Sequence, residues 1–485
     1  MSAGESTNSK ERFMRWNIVL ALVFCVSVLA GGCSDGREED RSEFIKLATA
    51  RMPATAPAMP VGVAPAPAGN SIDRLPERPV LADYLAYAAL HNPGLEASFN
   101  RWKAALERLP QVRALPDPQF TYRYFIVEQA FRDGDMRNVY EISQTFPWLA
   151  KLQLRGELAA QEAAAARERF EAERLKLFLR VKQAYYEYYY ISRTLGVTRE
   201  TLQDVEDIER VAGSRYRTGT ASAPDLLRTQ VELGKLQDEY ASVQDLVEPS
   251  VAKLNAAMNR PVDMPLPMPA QLDDVKVQLA QKELLEWLGR YNPELKALEH
   301  EITRERKSID LARQDYFPDV TLGFEYDDMV DAAGLPGGSP PDALAVSASV
   351  NIPIWFQKYA AGVREARHRS WAASKEKTEK ANSLAVDLKL AAYNFRNAER
   401  KIALYRDTLL PKARQSVDSI RAGYQTGTSG FGDLIDGQRI LLEFRLAYER
   451  AVADRMESLA ELEALVGRDL AGVGQTPASM PTTQP

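Results

Sequence analysis

Asp433 and Asp436 stand three residues apart, a spacing that puts both carboxylates on one face of a helix. They follow the run Gly423-Tyr424-Gln425-Thr426-Gly427-Thr428-Ser429-Gly430-Phe431-Gly432, whose glycines mark a turn. An earlier run, Arg215-Tyr216-Arg217-Thr218-Gly219-Thr220, leads in the same way to Asp225, but Arg228 stands where the later turn has Asp436. Only one turn therefore carries an acidic pair. Asp after a glycine-rich turn is also a common helix N-cap, which is the plain structural use of Asp433. His91, His300 and His368 lie in helical contexts without ligand or triad spacing, so they point to packing or surface roles rather than catalysis. No metal site, cofactor or enzyme activity is expected.

The one remaining reactive group is a thiol. Lys10, Arg12 and Arg15 precede the apolar stretch Trp16 to Leu29, and Ala30-Gly31-Gly32 lead to Cys33. That order reads as a secretion signal over 1–32 ending in a bacterial lipobox, with cleavage before Cys33 and covalent lipid on its sulfur. Ser34, rather than Asp, is the lipoprotein pattern for outer-membrane sorting. Cleavage removes Cys25 and leaves Cys33 alone, so no intrachain disulfide can form. Residues 33–79 form a lipidated tether, Pro- and Ala-rich from Met52 to Asn70, and 471–485 a Gly-, Thr- and Pro-rich tail; neither can bury a core. The net charge of -6 offers nucleic acid no electrostatic footing. Beyond the N-terminus no apolar run reaches the roughly 20 residues of a spanning helix, so a membrane crossing must use strands.

Between 80 and 470 one unit is written twice. Asn92-Pro93 opens a helix that leads to Leu115-Pro116-Asp117-Pro118 and an alternating stretch, Phe120 to Val127. Asn292-Pro293, Phe317-Pro318-Asp319 and Val320 to Asp327 repeat that order. Second strands, Asn138 to Phe146 and Ala343 to Ile352, run into Pro147-Trp148 and Pro353-Ile354-Trp355. Helices from Ala150 to Tyr216 and Gln357 to Tyr424 follow, each roughly 65 residues and on the order of 100 Å long. Pro411 should kink the second. The repeats are 80–265, with a hairpin at 119–146 and a turn at 215–225, and 266–470, with a hairpin at 319–353 and a turn at 423–433. Return helices carry apolar residues at spacings of four and three, among them Leu236, Tyr240, Val243 and Val247, the mark of a coiled-coil seam.

Period-2 alternation sorts the strand residues by face. Phe120, Tyr122, Tyr124, Val320, Leu322 and Phe324 share an apolar side, predicted to face lipid, while Thr121, Arg123, Glu325 and Asp327 point the other way. A soluble hairpin packed on helices would alternate in the same manner. Open strand edges are not tolerated in lipid, however, so two hairpins per chain can cross a membrane only if other subunits close the sheet. Three chains would supply a barrel of about twelve strands.

This arrangement resembles the TolC family of outer-membrane efflux proteins from about Val80 to Leu470, and Gln144-Thr145-Phe146-Pro147-Trp148 with Lys151 is similar to its heavy-metal and cation branch. The resemblance implies a mainly α fold with membrane β: a homotrimer whose long coiled-coil helices form an α-barrel continuous with a shared 12-stranded outer-membrane β-barrel. It implies a periplasmic adaptor and an inner-membrane pump as partners, outer-membrane lipid around the barrel, and the repeated turns at the periplasmic tip. On that match Asp433 and Asp436 from three chains ring the pore, a cation-selective, pH-sensitive constriction. Tyr424 and Asp225 match a latch pair of the family, whereas Ser429 holds the place of its Arg, leaving Arg215, Arg217 or Arg228 as substitutes. A secretion exit channel and a non-spanning coiled-coil lipoprotein are the alternative readings.

Overall fold

The computed structural model describes residues 42–47, 75–131, 134–219, 222–269, 272, 277, 280–330, 342–426 and 428–470, without the side chains of 127–131, 134, 135 and 330. The signal over 1–32, Cys33, the tether from Met52 to Asn70, the tail and the centres of both hairpin loops lie outside these residues. The chain divides at residue 50 into two units. In the first, 42–47 are helical and Phe44 is buried.

The second unit holds both repeats. In order these give α1 (Leu81–His91), α2 (Pro93–Arg113), β1 (Gln119–Phe131), β2 (Gly134–Phe146), α3 (Leu149–Arg217), α4 (Ala223–Asp245) and α5 (Val247–Ala257). The second repeat gives α6 (Gln281–Tyr291), α7 (Pro293–Gln314), β3 (Val320–Val330), β4 (Ala343–Val350) and α8 (Phe356–Leu404). It then continues as a π segment (Tyr405–Leu409), α9 (Leu410–Thr426) and α10 (Phe431–Val466). At 1.5 Å per residue α3 alone runs about 100 Å.

Each repeat is anchored by the same side chain. Asn92 and Asn292 are N-caps whose Oδ1 atoms accept from the Leu95 and Leu295 amides, both at 3.0 Å. Pro93 and Pro293 follow at the first helical position, where no N–H is needed. The same asparagines donate through Nδ2 to the carbonyls of Ala257 at 3.3 Å and Leu465 at 2.7 Å, tying the start of one helix to the end of the return helix. Past those ends the backbone turns left-handed at Asn259 (φ 59) and Gly467 (φ 77). Burial repeats as well: Leu177, Val181, Ala184 and Tyr188 on α3 correspond, 207 residues on, to Leu384, Leu388, Ala391 and Phe395 on α8, and all eight are buried.

Where the repeats differ, an inserted or removed backbone donor explains it. Trp355 lies 207 residues after Trp148, but Tyr424 lies 208 after Tyr216, and the π segment between them absorbs that extra residue. The kink expected at Pro411 is therefore realised as this wider turn, placed just before the proline whose ring would crowd the carbonyl of Asp407. The first return helix breaks at Leu246, three residues ahead of Pro249, whereas α10 carries Glu457 at the equivalent place and stays whole.

The strands form one antiparallel sheet in the order β1-β2-β3-β4. Its two middle strands come from different repeats, with Phe146 opposite Val320 and Tyr140 opposite Tyr326. The helices follow the same order: α2 packs on α3, α3 on α7 and α7 on α8. Beyond the other end of α3 the partners change to α4, α5 and α10. β1 and β4 are the sheet's outer strands, and among the described residues no helix packs along either of its faces.

Candidate gate and membrane face

The two matched turns meet through a small apolar cluster. Ile208 and Ala212 near the end of α3 pack against Tyr424, Phe431, Leu434 and Ile435 of the second repeat. The Tyr424 and Phe431 rings meet edge-on at 5.6 Å. Arg215 closes over this cluster. Its guanidinium carbon lies 4.5 Å from the Tyr424 ring centre, and its Nη1 and Nη2 donate to the carbonyls of Tyr424 at 2.9 Å and Gln425 at 3.1 Å. Those carbonyls belong to the last turn of α9, where a cation also complements the helix dipole. Of the three basic candidates near the turn, Arg215 is thus the one that joins the repeats.

The expected Tyr424–Asp225 bond is not formed within one protomer. Tyr424 is only 8% exposed and its buried Oη has no partner among the described residues. Asp225 accepts instead from Ser222 Oγ at 2.6 Å, inside its own turn. The ring is drawn into the apolar cluster and the carboxylate is held by its local serine, so neither reaches the other.

Asp433 and Asp436 occupy one face of α10 with different surroundings. Asp433 accepts from the Gly430 amide at 3.0 Å, one half of a capping box made from the third helical position rather than an N-cap of its own. Asp436 is mostly exposed and lies 3.6 Å from Arg439, which also pairs with Glu232 of α4 at 2.8 Å. Arg228 approaches the second turn, since a Cβ added to Gly432 would stand 3.5 Å from its Nη1.

On the sheet, register places the predicted apolar residues side by side, because directly opposed residues share a face. Phe120 opposes Ile142, which opposes Phe324, which opposes Val346. Tyr122 opposes Tyr140, and Leu322 and Val320 oppose Ala348 and Val350. All six predicted residues are exposed, Phe120 to 67%. The opposite face is polar: Arg123 pairs with Glu325 at 2.5 Å and Glu141 at 3.7 Å, and Thr145 bonds Thr321 at 2.9 Å.

Two features escaped the sequence reading. Below the hairpins, buried Lys151 reaches from α3 to Asp319 at 2.8 Å and to the Phe317 carbonyl at 2.9 Å, while Trp148 stacks on Phe317. Its signal was a lysine three residues after Pro147-Trp148, recognisable in motif but not in partner. Further along, a polar cleft of about 310 Å³ is lined by Gln183, Asn394, Asp454, Glu457 and Glu461. Arg450 is taken up there by Glu187 and Asp454, both at 2.7 Å, and Glu457 stands off at 3.8 Å. Burial, reinforced by the charges of Glu187 and Asp454 and opposed by that of Arg450, pushes Glu457 up to about 7. Nothing in the spacing of these residues distinguishes them from an ordinary charged helix face.

The sequence pattern of the family described as "Outer membrane efflux protein" matches residues 85–260 and again 287–468. The chain is 22% identical over 406 residues to outer membrane protein TolC of Vibrio cholerae, covering 80% of this chain and 90% of that one. It is 21% identical over 261 residues to the cobalt-zinc-cadmium resistance protein CzcC of Cupriavidus metallidurans, covering 53% and 60%. Its fold matches solved CusC, with a TM-score of 0.69, 17% identity and coverage of 80% and 92%.

Proposed function

The chain belongs to the outer membrane efflux protein family, and from that premise we propose that three copies form a lipid-anchored exit duct fed by a periplasmic adaptor and an inner-membrane pump. The carrying observation is the sheet: among the described residues, four strands with two unpaired outer edges, one apolar face, one polar face and no helix over either. In water such a surface is a liability, whereas in a closed barrel the apolar side meets lipid and the polar side meets the lumen. Closure then comes from β1 and β4 of neighbouring copies. Phe120, Tyr122, Tyr124, Val320, Leu322 and Phe324 face lipid, and Cys33 carries the acyl anchor.

At the other end the exposed carboxylates of Asp433 and Asp436 line the constriction, Asp433 also accepting from the Gly430 amide. Threefold repetition concentrates negative charge there and favours cations. Tyr424 and Asp225 act in the closed tip across subunits rather than within one, and Arg215 holds the cluster beneath them. The kinship to a cobalt-zinc-cadmium resistance protein supports metal cations as cargo; drugs and secreted proteins are the competing classes.

The test is the purified, acylated protein in detergent and planar bilayers. Heat-modifiable trimers with discrete conductance are expected, and Asp436→Asn should lower cation over anion permeability. Monomers that leave the membrane on delipidation alone and conduct nothing would overturn the reading.

A further inference from the structure

The duplication assigns contacts that a single copy cannot make. Within the protomer the junction between repeats is α3 along α7 and β2 beside β3. In a ring of repeats the equivalent junction is α8 along α2 of the next copy and β4 beside its β1. Its pairs follow by carrying each contact of α3 with α7 and the turn after it through the repeat offsets, 207 residues for α3 to α8, 200 for α2 to α7 and 202 for the Pro-Asp turns that follow them. Buried positions support both offsets, since Leu95 and Trp102 on α2 correspond to buried Leu295 and Ile302 on α7.

Four contacts transfer, while a fifth, Lys176 with Glu294 at 2.8 Å, falls on Ser383 and Gly94 and has no counterpart. Lys151 with Asp319 becomes Lys358 with Asp117, because Lys358 follows Trp355 as Lys151 follows Trp148, and Asp117 follows Leu115-Pro116 as Asp319 follows Phe317-Pro318. Glu157 with Lys307 becomes Arg364 with Glu107. Gln161 with His300, 2.9 Å apart, becomes His368 with Asn100. Arg169 with Glu301 becomes Glu376 with Arg101. In the last three, each member has changed chemical kind and its counterpart has changed to match. Acid and base are exchanged twice and imidazole and amide once, with complementarity kept each time. Two unrelated solvated faces have no reason to covary in this way.

These side chains are idle inside one copy. Among the described residues, those of Arg101, Glu107, Asp117, Arg364 and Glu376 make no ion pair or hydrogen bond, nor does that of Asn100. His368 meets only the Trp371 ring at 5.2 Å, and the Lys358 ammonium lies 5.5 Å from the Tyr359 ring centre. The strands agree with the helices. Aligned on Pro147 with Pro353 and Pro116 with Pro318, the β2–β3 register sets Val350 beside Phe120 and Ala348 beside Tyr122 of the partner subunit, which keeps the apolar face continuous.

We propose that adjacent subunits are joined along α8 and the partner subunit's α2, with the turn that follows it, by a polar ladder: Lys358 with Asp117, Arg364 with Glu107, His368 with Asn100 and Glu376 with Arg101. The ladder rests on the trimer reading but fixes more, since it states which faces meet and in what register. Two of its rungs reverse the polarity of the junction inside the protomer, so that α8 set against an α7 face would bring Arg364 to Lys307 and Glu376 to Glu301 and place like charges together.

The full-length protein carrying Asn100→Cys with His368→Cys tests the register under oxidation, read by non-reducing electrophoresis beside size measurement in detergent. A covalently closed trimer is expected, while Gln161→Cys with His300→Cys should link only within a chain. Trimers that form but do not crosslink at 100 and 368, although the intrachain control does, overturn the ladder and leave the trimer standing. Absence of any trimer in the unmodified protein overturns both. Independently, Arg364→Glu and Glu107→Arg should each lower the dissociation temperature of the trimer, and their combination should restore it; an additive loss contradicts the pairing.

Discussion

The two repeats are alike where they are anchored and unlike where they turn. At the anchors, Asn92 and Asn292 cap equivalent helices and bind equivalent carbonyls, and the chain turns left-handed at equivalent residues. At the turns, Asp225 bonds its own serine while Asp433 caps its own glycine, and Arg228 stands where the other repeat has Asp436. A ring built from repeats requires each to impose the same curvature, so residues that set the angle between helices are duplicated. Helix tips that meet at an axis need only fit each other, and their side chains are free to diverge.

The largest effect should come from breaking an anchor. Gly467→Ala puts a Cβ 2.8 Å from the Tyr291 carbonyl at a left-handed φ, and should lose about 2–3 kcal/mol in thermal unfolding. The equivalent Asn259→Gly keeps the left-handed conformation and loses the bond from Nδ2 to the His91 carbonyl at 3.0 Å, so it should cost about 0.5–1.5 kcal/mol. Equal losses would show that the two positions are not geometric counterparts. Next, Asn92→Ala and Asn292→Ala each remove a cap and a bond to the return helix. Each should cost about 1–2 kcal/mol. A marked inequality between them would break the symmetry of the body.

A smaller effect separates the return helices. Glu457, whose counterpart is Pro249, takes up its proton more readily in the folded chain than in the unfolded one. Its contribution is present below the ordinary carboxylate range and is lost as pH rises through about 7. Glu457→Gln should therefore leave stability at acid pH near that of the parent and raise it at pH 8 by about 1 kcal/mol, the group being partly solvent-screened. Parallel pH profiles of variant and parent would remove the proton from the account. Smallest of all, Tyr424→Phe deletes a buried hydroxyl without a partner among the described residues, and should alter protomer stability by less than about 0.5 kcal/mol. A change in closed-state conductance despite that would place its bond in a neighbouring copy, and a closed-state conductance and pH response both unchanged would retire Tyr424 from the gate.

Much of the fold was legible because it rests on periodicities. Alternation in Phe120 to Ile126 and Val320 to Tyr326 is a backbone property, and Asn-Pro and Pro-Trp mark element boundaries by their own dihedral limits. What could not be read was partner choice across long separations. Arg215 looked equivalent to Arg217 and Arg228 in sequence, and only the packing of α3 against α9 and α10 puts it over Tyr424. Lys151 and Asp319 are 168 residues apart, and Glu457 is one acid among many until Arg450 is seen to be engaged elsewhere. The π segment was written in the change from 207 to 208, yet proline drew the expectation to a kink instead.

That segment also sets the phase between the body and the tip. One extra residue in an α-helix turns everything beyond it by about 100°. Housed at Tyr405–Leu409, the insertion leaves Ala413 buried 208 residues after buried Val205, so the second tip keeps the rotational setting of the first. The long helix of the second repeat thus behaves as two shafts joined by a coupling with one residue of slack, and the bearing on which Tyr424 and Asp433 meet is set at the coupling rather than at the turn.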